Sequence, residues 1–175
     1  MSFELNPRHA KRDDISAIQS VLASNRADVS LFQQSIREIQ RNINNFFVVE
    51  HGKKVVGCAG LHTYKNRIAE IRGISVRPEY QRQGVGDALL NRCIDISISK
   101  GIRTLWLSST KPNYFSRFGF QPISKWSLPM SVLMCKIRLV FQQPADRWMP
   151  ALLGRHTFMK YSAINRSGNG MLPIR

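Results

Sequence analysis

Apolar positions along this chain recur with two periods, and the switches between them mark out its elements. Ile15, Ile18, Val21 and Leu22 share one face of a helix over residues 15–23, with Asp13 or Asp14 ahead of them as a cap. Residues 31–43 repeat the helical spacing with Leu31, Ile36, Ile39 and Ile43. The period then shortens. Residues 46–50 and 55–64 read as strands joined by the turn H-G-K-K, and 68–76 as a third strand after a turn at Asn66. Arg77-Pro78 closes that meander, because proline cannot donate to a central ladder. Helical spacing returns at Gly84. Val85, Ala88, Leu89, Cys93 and Ile96 make the stripe of a helix that runs to about Lys100 and ends at Gly101.

Residues 103–108 read as a strand centred on T-L-W-L, 114–118 as a short helix stopped by Gly119, and 120–123 and 157–161 as further strands. Residues 3–8 read as a short first strand. Between 126 and 154, Pro129, Pro144 and Pro150 interrupt a run rich in Met, Leu and Trp, where two short amphipathic helices are expected. No repeat or low-complexity linker splits the chain, so 1–163 is expected to form one domain and 164–175 a mobile tail. The order is strand, two helices, antiparallel meander, helix, strand, helix, strand, which predicts an α/β sheet covered by helices.

Composition narrows the class. With 175 residues, 43% of them hydrophobic and 21% charged, the chain can bury a real core. No apolar run approaches the roughly 20 residues of a membrane span, and no apolar stretch of a leader follows the first charges. Cys58, Cys93 and Cys135 are far apart with no C-x-x-C, which fits a reducing, cytoplasmic setting and argues against disulfides or zinc. His9, His51, His62 and His156 show no metal-ligand spacing, so no metal is expected.

The net charge of +15 is unevenly spread. From Ser97 onward the only acidic residue is Asp146, against twelve Lys and Arg. Lys111, Arg117, Lys125, Lys136, Arg138, Arg147 and Arg155 belong to that excess, which implies an anionic partner: phosphates, an acidic substrate, nucleic acid or a membrane surface.

The sharpest local signal is Y-Q-R-Q-G-V-G at 80–86, between the third meander strand and the helix. Glycine lets a backbone approach a ligand closely. A helix N-terminus offers unpaired N–H groups and partial positive charge, which suit a phosphate. Gln81 and Arg82 stand beside it, and arginine adds charge-assisted hydrogen bonds. A dinucleotide fingerprint is excluded by the missing third glycine, and a P-loop by the missing G-K-[ST].

At this turn the chain resembles the GNAT acetyltransferases, whose acetyl-CoA motif is Q/R-x-x-G-x-G/A, here Q-R-Q-G-V-G. R-G-I-S-V-R-P-E-Y resembles that family's fourth strand, V-V-G-C-A-G-L-H its third, and Y-F-S-R-F-G-F its short helix ending in G-F. The resemblance covers about 46–123. A-E-I-R-G-I-S-V-R-P-E-Y with the later R-F-G-F and L-P is similar to the N-acetylglutamate-synthase-like branch.

It implies a GNAT fold: a mixed, mostly antiparallel six- to seven-stranded sheet, helices on both faces, and a splay between strands four and five. Acetyl-CoA would be the co-substrate. Its pantetheine would lie along Ile74, Ser75 and Val76, and its pyrophosphate on the N–H groups of Gln81, Arg82, Gln83, Gly84, Val85 and Gly86. A backbone N–H near Ser75 or Val76 would stabilise the oxyanion.

Amine acetylation needs a proton acceptor, a stabilised thioester oxygen and a departing thiolate. Glu70, in A-E-I, resembles the base of histone acetyltransferases in the same superfamily, which acts through water. It shares a strand face with Arg72 unless a bulge intervenes. Arg72 would then pair with Glu70 or with a substrate carboxylate; a purely structural ion pair is the alternative. Relatives place a tyrosine acid where this chain has Phe115, so the neighbouring Tyr114 is a candidate acid, with packing or substrate contact as the alternatives. Thiolate departure does not require a protein acid, because a thiol is already fairly acidic.

Cys58, Cys93 and Trp106 read as core, His62 as structural or a second base, and Glu79 as a solvated turn residue. Trp126, Trp148 and the methionines Met130, Met134 and Met149 read as a substrate lid or as packing. Three functions stay open: N-acetyl transfer to a small-molecule or protein amine, non-catalytic acyl-CoA binding, and a basic nucleic-acid- or ribosome-associated role. A homodimer is compatible with each.

Overall fold

The computed structural model describes residues 5–25, 35–124, 127 and 157–161. In chain order the elements are β1 (Arg8–His9), α1 (Ile15–Ser24), α2 (Ile36–Arg41), β2 (Phe46–His51), β3 (Lys54–Tyr64), β4 (Ile68–Val76), α3 (Val85–Ser99), β5 (Thr104–Ser109), α4 (Pro112–Ser116), β6 (Gln121–Ile123) and β7 (Thr157–Tyr161). The strands form one sheet in the order β1-β2-β3-β4-β5-β7-β6. Every neighbouring pair is antiparallel except β4 and β5, which run parallel.

Each face of the sheet is sealed by helices. On one side, Val85, Leu89, Leu90, Cys93 and Ile94 of α3 pack with Ala59, Leu61, Ala69 and Ile71, and Phe115 of α4 joins them. The stripe of α3 is wider than its spacing suggested: Leu90 and Ile94 are buried, whereas Ala88 and Ile96 are only partly so. On the other side, Ile18 and Val21 of α1 and Ile39 of α2 close over Phe46, Val48, Val55 and Cys58. Burial pushes the Cys58 and Cys93 thiols up to about 12, so both stay protonated inside the core.

Three boundaries differ from the sequence pattern. The first strand is only the pair Arg8–His9 against Val48 and Phe47, because Pro7 just before it has no N–H to donate. Among the described residues the second helix stops at Arg41, short of the expected 43. Within the described residues it begins after Ser35, whose side chain accepts the Glu38 N–H while Glu38 accepts the Ser35 N–H, and a 3-10 turn follows at Ile43–Asn45. Asp14 precedes α1 without capping it: its carboxylate accepts the Lys11 N–H at 2.7 Å and Arg8 at 2.8 Å. Arg8 also pairs with Glu50, which pins the start of the chain to β2. The Arg8 guanidinium holds the Asp14 carboxyl below the usual carboxylate range.

β4 and β5 pair only through Ile68–Thr104, Ala69–Leu105 and Glu70–Trp106. Past Glu70 they separate. Opposite Ala59 of β3 the register shifts, so that Gly73 and Ile74 stand against one residue, and Gly73 takes φ +65°. A bulge of this kind bends its strand and increases the local twist. It swings the second half of β4 away from β5 and opens the sheet. The expected helices within 126–154, Cys135, the Met and Trp residues there, His156 and the tail 164–175 lie outside the described residues.

Candidate active site

The opening between β4 and β5 leads into a cavity of about 730 Å³. Its walls come from the end of α1, the second half of β4, the turn that follows, the start of α3, and the β5–α4 region. Glu70, Arg72, Ile74, Ser75, Val76, Gln81, Arg82, Gly84, Gly86 and Tyr114 all line it. Two residues read for the same site do not. The side chain of Gln83 is exposed and donates to Glu79 O at 3.0 Å. Val85 is buried in the core above Gly57, where an added Cβ would stand 2.7 Å from Val85 Cγ1.

The turn is built from left-handed backbone. Arg82 has φ +61° and Gly84, the N-cap of α3, has φ +81°. The first helical bond runs from Ala88 N–H to Gly84 O at 2.9 Å. The amides ahead of it therefore point out of the helix end, where the helix dipole favours an anion. Gly86 has a second reason to lack a side chain: a Cβ there would meet the Tyr114 hydroxyl at 2.9 Å.

Tyr114 is held against that helix start. Its hydroxyl donates to Asp87 Oδ1 at 2.8 Å. Burial, then the Asp87 carboxylate, pushes its pKa well above the usual phenol range. The hydroxyl is engaged by Asp87 at the helix start, which fits the packing role read for Tyr114 alongside the acid one.

Glu70 and Arg72 do share a face, because the bulge falls after them. Arg72 Nη2 donates to Glu70 Oε2 at 2.5 Å and Arg72 Nε at 3.1 Å. Tyr64, from the end of β3, joins the pair. Its hydroxyl accepts from Arg72 Nη2 at 2.6 Å and donates to Glu70 Oε2 at 2.6 Å. The ion pair is buried rather than exposed, with the Glu70 side chain 1% and that of Arg72 17% accessible. His62 stands opposite Glu70 on β3. Burial and the Arg72 charge push His62 down to about 4 against the opposing pull of Glu70, so it is neutral near pH 7 and only a weak base there.

Sequence spacing missed several cavity residues. Asn25 reaches it from the end of α1, and Asp87 from the first turn of α3. Lys111 and Arg117 line it as well, so part of the basic excess after Ser97 faces the same cavity as the glycine turn. Only their sign was legible, because nothing local ties α4 to the α3 entrance. Lys125, Lys136, Arg138, Arg147 and Arg155 lie outside the described residues. Among the described residues no helix is long and apolar enough to cross a membrane, and no cluster of His, Cys, Asp or Glu is arranged to hold a metal.

Residues 12–120 match the acetyltransferase (GNAT) family. The chain belongs to that family. It is an N-acetyltransferase whose donor is acetyl-CoA. An uncharacterized N-acetyltransferase of Chlorobaculum tepidum is 26% identical over 125 residues, which are 71% of this chain and 81% of that protein. The amino-acid acetyltransferase of Mycobacterium tuberculosis is 27% identical over 134 residues, 74% of this chain and 76% of that one. Other amino-acid acetyltransferases match too, and the chain spans only 28–30% of their length. Among solved structures, N-acetylglutamate synthase of Neisseria gonorrhoeae, complexed with coenzyme A and N-acetyl-glutamate, superposes with a TM-score of 0.72 at 25% identity, over 90% of this chain and 34% of that one.

Proposed function

We propose that this GNAT enzyme acetylates the amine of a small acidic amino acid or a close analogue. The observation that carries the reading is the buried Glu70–Arg72 pair on the cavity wall, beside the point where β4 leaves β5. A carboxylate and a guanidinium side by side suit an acceptor that presents both an ammonium and a carboxylate. The amino-acid acetyltransferases among its relatives, and the N-acetyl-glutamate held by the Neisseria synthase, support the same class of acceptor.

In this reading the pyrophosphate of acetyl-CoA rests on the amides of 81–86 with Arg82 beside it, and the pantetheine lies along Ile74, Ser75 and Val76. Glu70 takes the ammonium proton through water. The free amine then attacks the thioester carbonyl carbon. Negative charge gathers on the carbonyl oxygen, where a backbone N–H near Val76 stabilises it. The C–S bond breaks, coenzyme A leaves as the thiolate, and the acetyl group stays on nitrogen. No protein acid is needed for that departure.

The experiment is release of coenzyme A thiol with a panel of glutamate, glutamine, aspartate, lysine and polyamine acceptors, with products identified by mass spectrometry. Turnover with the acidic acceptors above the others is expected, with a shallow salt dependence, because a partly enclosed ion pair is little screened. Preference for lysine-like or polyamine acceptors would remove the acidic-substrate assignment. Tight RNA binding that weakens steeply with salt would shift the weight to a polyanion.

A further inference from the structure

Helix α1 covers the face of the sheet opposite α3, yet one side chain at its end reaches the cavity. Asn25 Nδ2 donates to Ser75 Oγ at 2.7 Å and to Val76 O at 2.9 Å. Its Oδ1 accepts from Gln81 Nε2 at 3.1 Å. Gln81 Nε2 also donates to Val76 O at 3.1 Å. Ser75 Oγ in turn donates to Val21 O in the last turn of α1, at 3.3 Å. One asparagine thus ties α1, β4 and the glycine turn together.

The Val76 carbonyl gives this ring its meaning. Arg77 N–H donates to Val56 O on β3 at 2.9 Å. Along a strand the N–H and C=O of one residue share an edge, and successive residues alternate. Val76 therefore faces the other edge, the one that opens toward the cavity. A carbonyl oxygen has two lone pairs, and here both meet a side-chain donor. At this point the edge offers a ligand a donor rather than an acceptor, which suits a thioester oxygen gathering charge.

We infer that Asn25 is a positioning residue of the donor site. It fixes the last peptide of β4 and holds Gln81, the first residue of the phosphate turn, without touching the reacting atoms. The inference rests on the acetyl-CoA reading above. Asn25 and Gln81 act on one carbonyl, so their effects are coupled.

The test is coenzyme A binding to the intact chain by calorimetry, with Tm measured alongside. The proteins are wild type, Asn25→Ala, Asn25→Asp, Gln81→Ala and the Asn25→Ala/Gln81→Ala double variant. Losing Asn25's bonds to this partly enclosed edge predicts about a tenfold weaker affinity. Asn25→Asp is nearly isosteric and still accepts from Gln81, but sets an oxygen against Val76 O. It should bind at least as weakly as Asn25→Ala while Tm stays close to wild type. The double variant should lose less than the product of the single losses. Wild-type affinity in Asn25→Asp, or single losses that simply multiply, overturns the positioning role. A lowered Tm with unchanged affinity of the folded protein overturns it too. Absence of coenzyme A binding by the wild type removes the donor reading beneath it.

Discussion

Glu70→Gln tests the chemistry and the architecture of the site at once. The substitution keeps shape and an accepting oxygen but removes the charge and the ability to take an amine proton. It removes the carboxylate that pairs with Arg72, whose side chain is only 17% accessible. Breaking a buried pair by removing one partner costs about 3–5 kcal/mol. The residual exposure of Arg72 and the bond it keeps to the Tyr64 hydroxyl place this case near the lower end, about 3 kcal/mol. The rate effect is separate. A positioned base is worth about 10² to 10⁴. The ammonium of a free amino acid is almost fully protonated at pH 7, and its neutral fraction rises about tenfold with each pH unit below its pKa. The loss in turnover should therefore shrink between pH 7 and pH 9. Turnover is measured by coenzyme A thiol release at both pH values, affinity by calorimetry and stability by urea unfolding. The expected pattern is reduced turnover, retained coenzyme A affinity and a lowered unfolding midpoint. Wild-type turnover at neutral pH would return Glu70 to a purely structural role. An equal loss at both pH values would refute proton acceptance from the amine.

Gly84→Val should weaken coenzyme A binding at least tenfold, because a Cβ there would meet Leu5 Cδ1 at 2.9 Å and a branched residue at this left-handed position forces the turn and its amides to shift. Its φ of +81° also predicts a stability loss of about 1–2 kcal/mol. Gly52→Ala is the control: at φ +62° with nothing within 4 Å of the added Cβ, it takes the backbone strain and should keep full affinity, as calorimetry would show. His62 predicts an acid-side loss of stability. Its folded pKa of about 4 lies below the unfolded 6.5, so as pH falls from 6.5 to 4 the unfolded chain takes the proton first and the folded state loses about 3 kcal/mol. His62→Phe should flatten the slope of urea midpoint against pH in that window, and an unchanged slope would exclude His62 as its source.

Much of this protein was legible in its sequence because the signals are local. The apolar stripe of α3 and the short apolar, β-branched runs of β2, β3 and β4 each lie within a dozen or so residues, and turn chemistry marks their ends. The same holds for Q-R-Q-G-V-G, where left-handed glycine and a helix start meet in six residues, and for Glu70 and Arg72, which period two sets on one face. What spacing could not supply depends on contacts between distant segments. The bulge at Gly73 opens β4 from β5, but it exists only against Ala59 on a neighbouring strand. Tyr64 lies only six and eight residues from Glu70 and Arg72, yet it closes over the pair because the β3–β4 hairpin register sets it on their face. For Tyr114, spacing left acid, packing and substrate contact open; packing of α4 against α3 places its hydroxyl on Asp87, 27 residues away. Asn25 bonds to Ser75 across 50 residues, and no periodicity in α1 marks it. A side chain's partners are chosen by which surfaces the core brings together, and that choice is made by the burial of the whole apolar set rather than by any one stretch of it.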